Sequence, residues 1–163
     1  MGADEEPTPT GLSDATDEAY IERAIELARA AAGRGDEPFG SLLVHDGAVV
    51  AEAKNAVNTS DDVRAHPELR LARTAARELG DDAADATLYT STEPCPMCAG
   101  GLYHAGLGRV VYSVSGAMLE ELLGPGLFIP CAEIFAEGPR RVTVEGPVLP
   151  EAGQAVHEEF WFD

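Results

Sequence analysis

Apolar positions recur at helical spacing near the start of the chain, where Ile21, Ala24, Ile25, Ala28 and Ala31 form one stripe. That stripe predicts a helix from about Asp14 to Ala32, with Ser13 or Asp14 at its cap and Gly33 as its stop. After a loop at Gly35-Asp36-Glu37-Pro38, the stretches Ser41 to Val44 and Ala48 to Ala53 read as strands joined through Asp46-Gly47, a hairpin. A polar loop is expected over Asn55 to Ala65. From His66 to Leu79 the residues Leu69, Ala72, Ala76 and Leu79 return to helical spacing, and Gly80 closes the segment. Ala86 to Ser91 is strand-like and runs into Glu93-Pro94-Cys95. Proline is poor in a ladder and well tolerated at a helix start, so the cysteines are expected in the first turn of a helix that ends near His104.

Arg109 to Val114 reads as the next strand. A helix between two strands in so short a space implies a crossover between parallel neighbours. Beyond it come a helical turn at Leu119 to Leu123, a loop at Gly124-Pro125-Gly126 and a short helix at Cys131 to Ala136. A last strand at Val142 to Val144 and a terminal helix at Glu151 to Phe162 complete the pattern. The order predicts an α/β protein: a three-layer α/β/α sandwich around a mixed sheet of about five strands. Residues 1–13 are expected to form a disordered acidic tail and residues 14–163 a single domain.

Charge narrows the set of functions. The 163 residues include 29 acidic and 11 basic side chains, a net charge of −18. Nucleic-acid binding depends on Lys and Arg at phosphates, so a polymer partner is not expected. A salt-rich interior would favour the same acidity. The stretch Met1 to Thr16 lacks the basic start and apolar centre of a secretory signal, and Glu6 stands where myristoylation needs Ser or Thr. The apolar runs are strand-sized, so no membrane association is expected, and the location read from the sequence is cytoplasmic. Three cysteines, Cys95, Cys98 and Cys131, are too few for a disulfide framework and favour metal or redox chemistry.

Two motifs carry that chemistry. His66-Pro67-Glu68 opens one predicted helix and Pro94-Cys95-Pro96-Met97-Cys98 opens another, with 25 residues between Glu68 and Pro94. Two thiolates and an imidazole make a three-ligand set for Zn²⁺, leaving the fourth position for a water whose pKa falls toward ~7. A helix start favours thiolates as well. Glu68 is then free to carry protons. Three other readings remain open at this point: a Cys95/Cys98 dithiol oxidoreductase, a structural zinc with Cys131 as fourth ligand, and a non-catalytic zinc module that binds partners. Cys131 lies in an apolar context, Ile129-Pro130-Cys131-Ala132, which favours a buried thiol. His45 and His157 read as packing or surface residues, and His104 as a cation at a helix end. Phe160-Trp161-Phe162 reads as a packing stripe.

His-x-Glu followed by Pro-Cys-x-x-Cys resembles the signature of the zinc-dependent cytidine deaminase superfamily. The resemblance extends roughly from Asp17 to Val114. Pro38-Phe39-Gly40, Asn55, Thr59-Ser60-Asp61 and Leu88-Tyr89-Thr90-Ser91 are similar to the branch of guanine, cytosine and tRNA adenosine deaminases. It implies Zn²⁺ on His66, Cys95 and Cys98 and Glu68 as general acid/base. It also implies Asn55, Phe39 and Gly40 at the substrate, with Trp161 as a pocket lid. The implied reaction is hydrolytic removal of ammonia from a free nucleobase or nucleoside, guanine or a related aminopurine first, with cytosine or cytidine next and tRNA adenosine third. A homodimer is implied too. The chain departs from most relatives at Pro67, where they carry Ala. It also departs at Met118, where guanine deaminases place a second acidic shuttle; Glu120 or Glu121 is the expected substitute.

Overall fold

The computed structural model describes residues 5–6, 12 and 14–162. Its frame is a mixed sheet with helices on both faces, as the periodicity predicts. In chain order the elements are β1 (Glu5–Glu6), α1 (Asp17–Gly33), β2 (Gly40–His45), β3 (Ala48–Lys54), α2 (Val57–Ser60) and α3 (Pro67–Thr74). They continue with β4 (Thr87–Thr92), α4 (Pro96–Ala105), β5 (Arg109–Val114), α5 (Gly116–Leu123), α6 (Cys131–Ala136), β6 (Thr143–Glu145) and α7 (Pro150–Phe162). The sheet order is β1-β3-β2-β4-β5-β6. β2 runs antiparallel to both its neighbours, β3 and β4, whereas β4-β5 and β5-β6 are parallel pairs. The parallel crossover through α4 is the one the short spacing implies.

Alternation along the strands fills two cores at once. Leu43, Leu88 and Val110 point to the layer holding α3, α4 and α6, where Leu71, Ala99, Leu102 and Phe135 meet them. Leu42, Tyr89 and Val111 point to the other layer, against Ile21, Ala24 and Ala28 of α1 and Val156 of α7. A strand buried on both faces reads as an apolar run, as at Leu42-Leu43-Val44 of β2 and Val110-Val111 of β5, whereas β4 is buried through Leu88, Tyr89 and small hydroxyl residues. Gly40 allows α1 to lie close on the sheet, since a Cβ there would sit 2.5 Å from the carbonyl oxygen of Ala24.

Several boundaries differ from expectation, each for a local reason. The cap of α1 is Thr16, whose Oγ1 accepts the Ala19 N–H at 3.2 Å. Asp14 instead has φ 52° and donates its N–H to Gly47, and Ser13 lies outside the described residues. The polar loop after Asn55 contains α2, whose four residues bury no side chain. The helix from His66 is α-helical only to Thr74, then passes through a wider π turn (Ala75–Leu79) into a 3-10 segment (Gly80–Asp85). The turn at Leu119 is part of an eight-residue helix capped by Ser115. Within the expected tail, Glu5–Glu6 pair antiparallel with Ala53 and Glu52; residues 1–4, 7–11 and 13 lie outside the described residues.

Candidate active site

Both ligand motifs sit at helix starts built by the same local device. His66 is the N-cap of α3 in extended conformation, φ −89° and ψ 138°, with Pro67 as the first helical residue. Cys95 is the N-cap of α4, φ −68° and ψ 169°, with Pro96 next. A proline holds the residue before it out of the α region, so each proline fixes the extended backbone of a candidate ligand. That is the local role of Pro67. The two helices come together because Leu69 of α3 packs where Gly101 of α4 has no side chain; a Cβ at Gly101 would lie 2.6 Å from Leu69 Cδ1. α4 follows directly from β4, so the cluster lies at the carboxyl end of a strand in the parallel half of the sheet, the customary place for a ligand crevice.

His66 Nδ1 lies 3.7 Å from Cys95 Sγ and 3.5 Å from Cys98 Sγ. Among the described residues these three are a group able to hold a metal, with all ligand atoms within 4.8 Å of one another. Tetrahedral zinc with Zn–S about 2.3 Å and Zn–N about 2.0 Å requires an S···N edge of about 3.5 Å. The donor set and its spacing therefore fit zinc. In the metal-free thiol pair, the hydrogen bond shared with Cys98 pulls Cys95 down to about 4, and the same bond with burial pushes Cys98 up. Cys131 is buried elsewhere, in the core beneath α6, and burial raises its thiol pKa; it is not one of the clustered ligands.

Glu68 stands beside the triad, 4% exposed. Burial pushes its carboxyl up to about 7, only partly offset by His66. Beneath it, Thr90 Oγ1 lies 3.4 Å from Glu68 Oε2 and receives the Ser41 hydroxyl at 2.8 Å. His66, Cys95 and Glu68 line a partly enclosed cavity of about 140 Å³, with Cys98 buried behind them. Phe39, Leu119, Leu127, Phe128 and Ile129 give it apolar walls, and Glu37, Thr92 and Glu93 add polar groups. A larger open groove of about 470 Å³ between α3 and α4 is lined by none of the three ligands.

The other expected site residues divide. Phe39 lines the cavity. Gly40 and Asn55 lie one step behind it: the Asn55 N–H donates to the Phe39 carbonyl at 3.0 Å. Asn55 is fully buried, and its Oδ1 accepts the Val57 N–H at 3.0 Å, so its amide is oriented with Nδ2 unpartnered. Arg34 holds the Asn55 carbonyl at 2.8 Å, and the fully buried Asp36 carboxylate takes the N–H groups of Asn58 and Thr59. Trp161 is not a cavity wall. Its indole N–H donates to His157 Nδ1 at 3.1 Å, and His157 Nε2 reaches Thr92 Oγ1 at 2.8 Å, so Trp161 supports the wall through two other residues. Glu120 and Glu121 are exposed on α5 and do not line the cavity, which argues against either as a second shuttle; the cavity's carboxylates are Glu37, Glu68 and Glu93.

Comparison with known proteins agrees with this geometry. Residues 14–114 match the family model of the cytidine and deoxycytidylate deaminase zinc-binding region. Guanine deaminase of Bacillus subtilis (strain 168) is 44% identical over 98 residues, covering 59% of this chain and 63% of that protein. A probable cytosine deaminase of Schizosaccharomyces pombe is 32% identical over 158 residues, 93% of this chain and 96% of that one. The solved guanine deaminase from Nitrosomonas europaea superposes with a TM-score of 0.81 at 25% identity, covering 95% of this chain and 88% of it. Signature, zinc-shaped triad, fold and alignment coincide, and the chain belongs to the cytidine and deoxycytidylate deaminase family.

Proposed function

We propose that the protein is a zinc-dependent hydrolase that releases ammonia from a free nucleobase or nucleoside, with guanine or a related aminopurine as its first substrate. The observation that carries this reading is the buried Glu68 carboxyl lining, together with His66 and Cys95 of the metal-binding triad, a cavity of about 140 Å³. Sites for drug-sized ligands run to ~300–1,000 Å³, so this one suits a single small ring system rather than a polymer.

Zinc at the triad supplies, when bound, an acidified water at its open fourth position. Glu68 does the proton work. It accepts a proton from the attacking water at Oε1 or Oε2, keeps it from bulk solvent and passes it to the ring nitrogen, then carries a second proton, from the hydroxyl added at the ring carbon, to the departing amine. Thr90, which receives the Ser41 hydroxyl, lies 3.4 Å below the carboxylate. Phe39 and Phe128 offer aromatic faces to a planar ring. Asn55, one step behind the Phe39 wall, keeps Nδ2 as an unpartnered donor; following the family resemblance we assign it to an acceptor atom of the base, a contact that needs the base to reach past Phe39. The net change replaces an amino group and water by a carbonyl and ammonia; guanine would yield xanthine.

Cytosine deamination is the second reading, favoured by the near full-length alignment with the Schizosaccharomyces pombe protein. Zinc-loaded protein given guanine, cytosine, adenine and their nucleosides is expected to release ammonia fastest from guanine. Fastest release from cytosine would exchange the two readings, and none from any base would leave a non-catalytic zinc module. We propose a cytoplasmic location, because Cys95 and Cys98 are given to metal and Cys131 is a lone buried thiol, a usage suited to a reducing compartment. We also propose a homodimer through the open groove, whose Leu69, Ala72 and Ala76 floor is rimmed by Arg64 and Arg73; sedimentation at a single-chain mass would refute the dimer.

A further inference from the structure

Glu93 lies between β4 and the Cys95 motif, and its carboxylate is engaged in a way the motif does not require. Its N–H donates to the Val114 carbonyl at 2.7 Å, joining the ends of β4 and β5. Its Oε1 accepts the Gly116 N–H at 2.8 Å, and its Oε2 accepts the Cys131 N–H at 2.8 Å. Gly116 and Cys131 are the first residues of α5 and α6. First-turn amides have no partner inside their own helices, so one carboxylate satisfies an orphan donor in each.

Between those helices runs the segment 124–130, which brings Leu127, Phe128 and Ile129 to the cavity. Among the described residues, its backbone hydrogen bonds occur at its ends: Gly124 to Glu120, and Glu133 and Ile134 to Pro130. Leu127 is 72% exposed, so this wall has little packing outside the cavity to hold it. Phe128 rests beside Gly116, where an added Cβ would lie 3.7 Å from Phe128 Cβ and 3.5 Å from Glu93 Oε1. The Glu93 carboxylate and Phe128 thus both border Gly116 at the aromatic wall.

The geometry points to Glu93 as a positioning residue for substrate recognition, stapling both ends of the 116–131 stretch so that Leu127, Phe128 and Ile129 form a preorganised face for a planar heterocycle. The inference rests on the nucleobase reading for its substrate and on the contacts above for the staple. A wall held in place before binding spares the ordering cost that a loose segment would impose.

The test uses zinc-loaded wild type, Glu93→Gln, Phe128→Ala and the double variant. Glutamine keeps one carbonyl acceptor but turns an amino group toward the second helix start, so one anchor is lost. Zinc content should stay at the wild-type value, and KM for the best base should rise about tenfold, some 1.4 kcal/mol of binding. The KM change should exceed the kcat change. Phe128→Ala should cost less in the Glu93→Gln background than alone, because both act through one wall. Hydrogen exchange read by mass spectrometry should quicken about tenfold at the starts of α5 and α6, where Glu93 holds the Gly116 and Cys131 amides, with β4 and α4 unchanged. Unchanged KM, a loss confined to kcat, or exchange rising equally in β4 and α4 would overturn the assignment. If wild type deaminates no base, the functional reading falls, and the exchange pattern alone decides the staple.

Discussion

Acid should loosen the C-terminal helix through His157. This imidazole is 1% exposed, packed edge-on to Phe39 at 5.3 Å, and bonded at both nitrogens. The indole N–H of Trp161 can only donate, so Nδ1 of His157 must accept and the ring proton sits on Nε2, donating to Thr92 Oγ1. A second proton would bring N–H against N–H at Trp161, and burial already pulls the pKa from 6.5 down to about 4. The folded value is the depressed one, so the unfolded chain binds the proton more tightly. The stability is fully present above about pH 6.5 and is lost as pH falls toward 4. Between about pH 7.5 and pH 5 the loss from this group is about 2 kcal/mol. Urea unfolding of zinc-loaded protein at both pH values measures it, with His157→Gln as the reference. Acid also acts on the zinc ligands, but equally in both proteins, so the difference in slope isolates His157. The variant should start less stable and lose about 2 kcal/mol less on acidification; parallel losses would refute the reasoning.

Two further substitutions probe the support of the site. Asp36→Ala removes the carboxylate that holds α2 and Arg34. It should cost about 2–3 kcal/mol in urea unfolding and raise KM through a loosened Asn55; a wild-type midpoint would contradict that. Gly40→Ala forces a methyl group against the α1 backbone at Ala24 and Ala28. It should cost about 1–3 kcal/mol or prevent soluble folding, and an unchanged melting temperature would show that α1 can retreat.

The triad and the layered sheet were legible in the sequence because short-range rules govern them. Helical and strand periods survive in a sandwich with two apolar cores, and His66-Pro67 and Cys95-Pro96 announce helix starts locally. The cavity wall was not legible. Glu93, Thr92 and 127–129 acquire their roles through partners 23 to 65 residues away, such as Gly116 and His157. The helix α2 has no apolar stripe to reveal it and depends on Asp36, 22 residues earlier, for its capping bonds. Glu120 and Glu121 match a carboxylate's chemistry but are exposed on α5, a matter of helix phase that residue type does not reveal. Trp161 connects to the cavity through His157 and Thr92, a relay that residue type alone does not reveal.

The claim at the centre of this account is that Glu68 moves the protons while His66, Cys95 and Cys98 hold the metal. Glu68→Ala, loaded with zinc and assayed for ammonia release on the preferred base, tests it directly. Zinc content should equal that of wild type, with turnover down at least ~10²-fold, the lower end for loss of a general acid/base. Turnover near the wild-type rate with zinc in place would contradict the account.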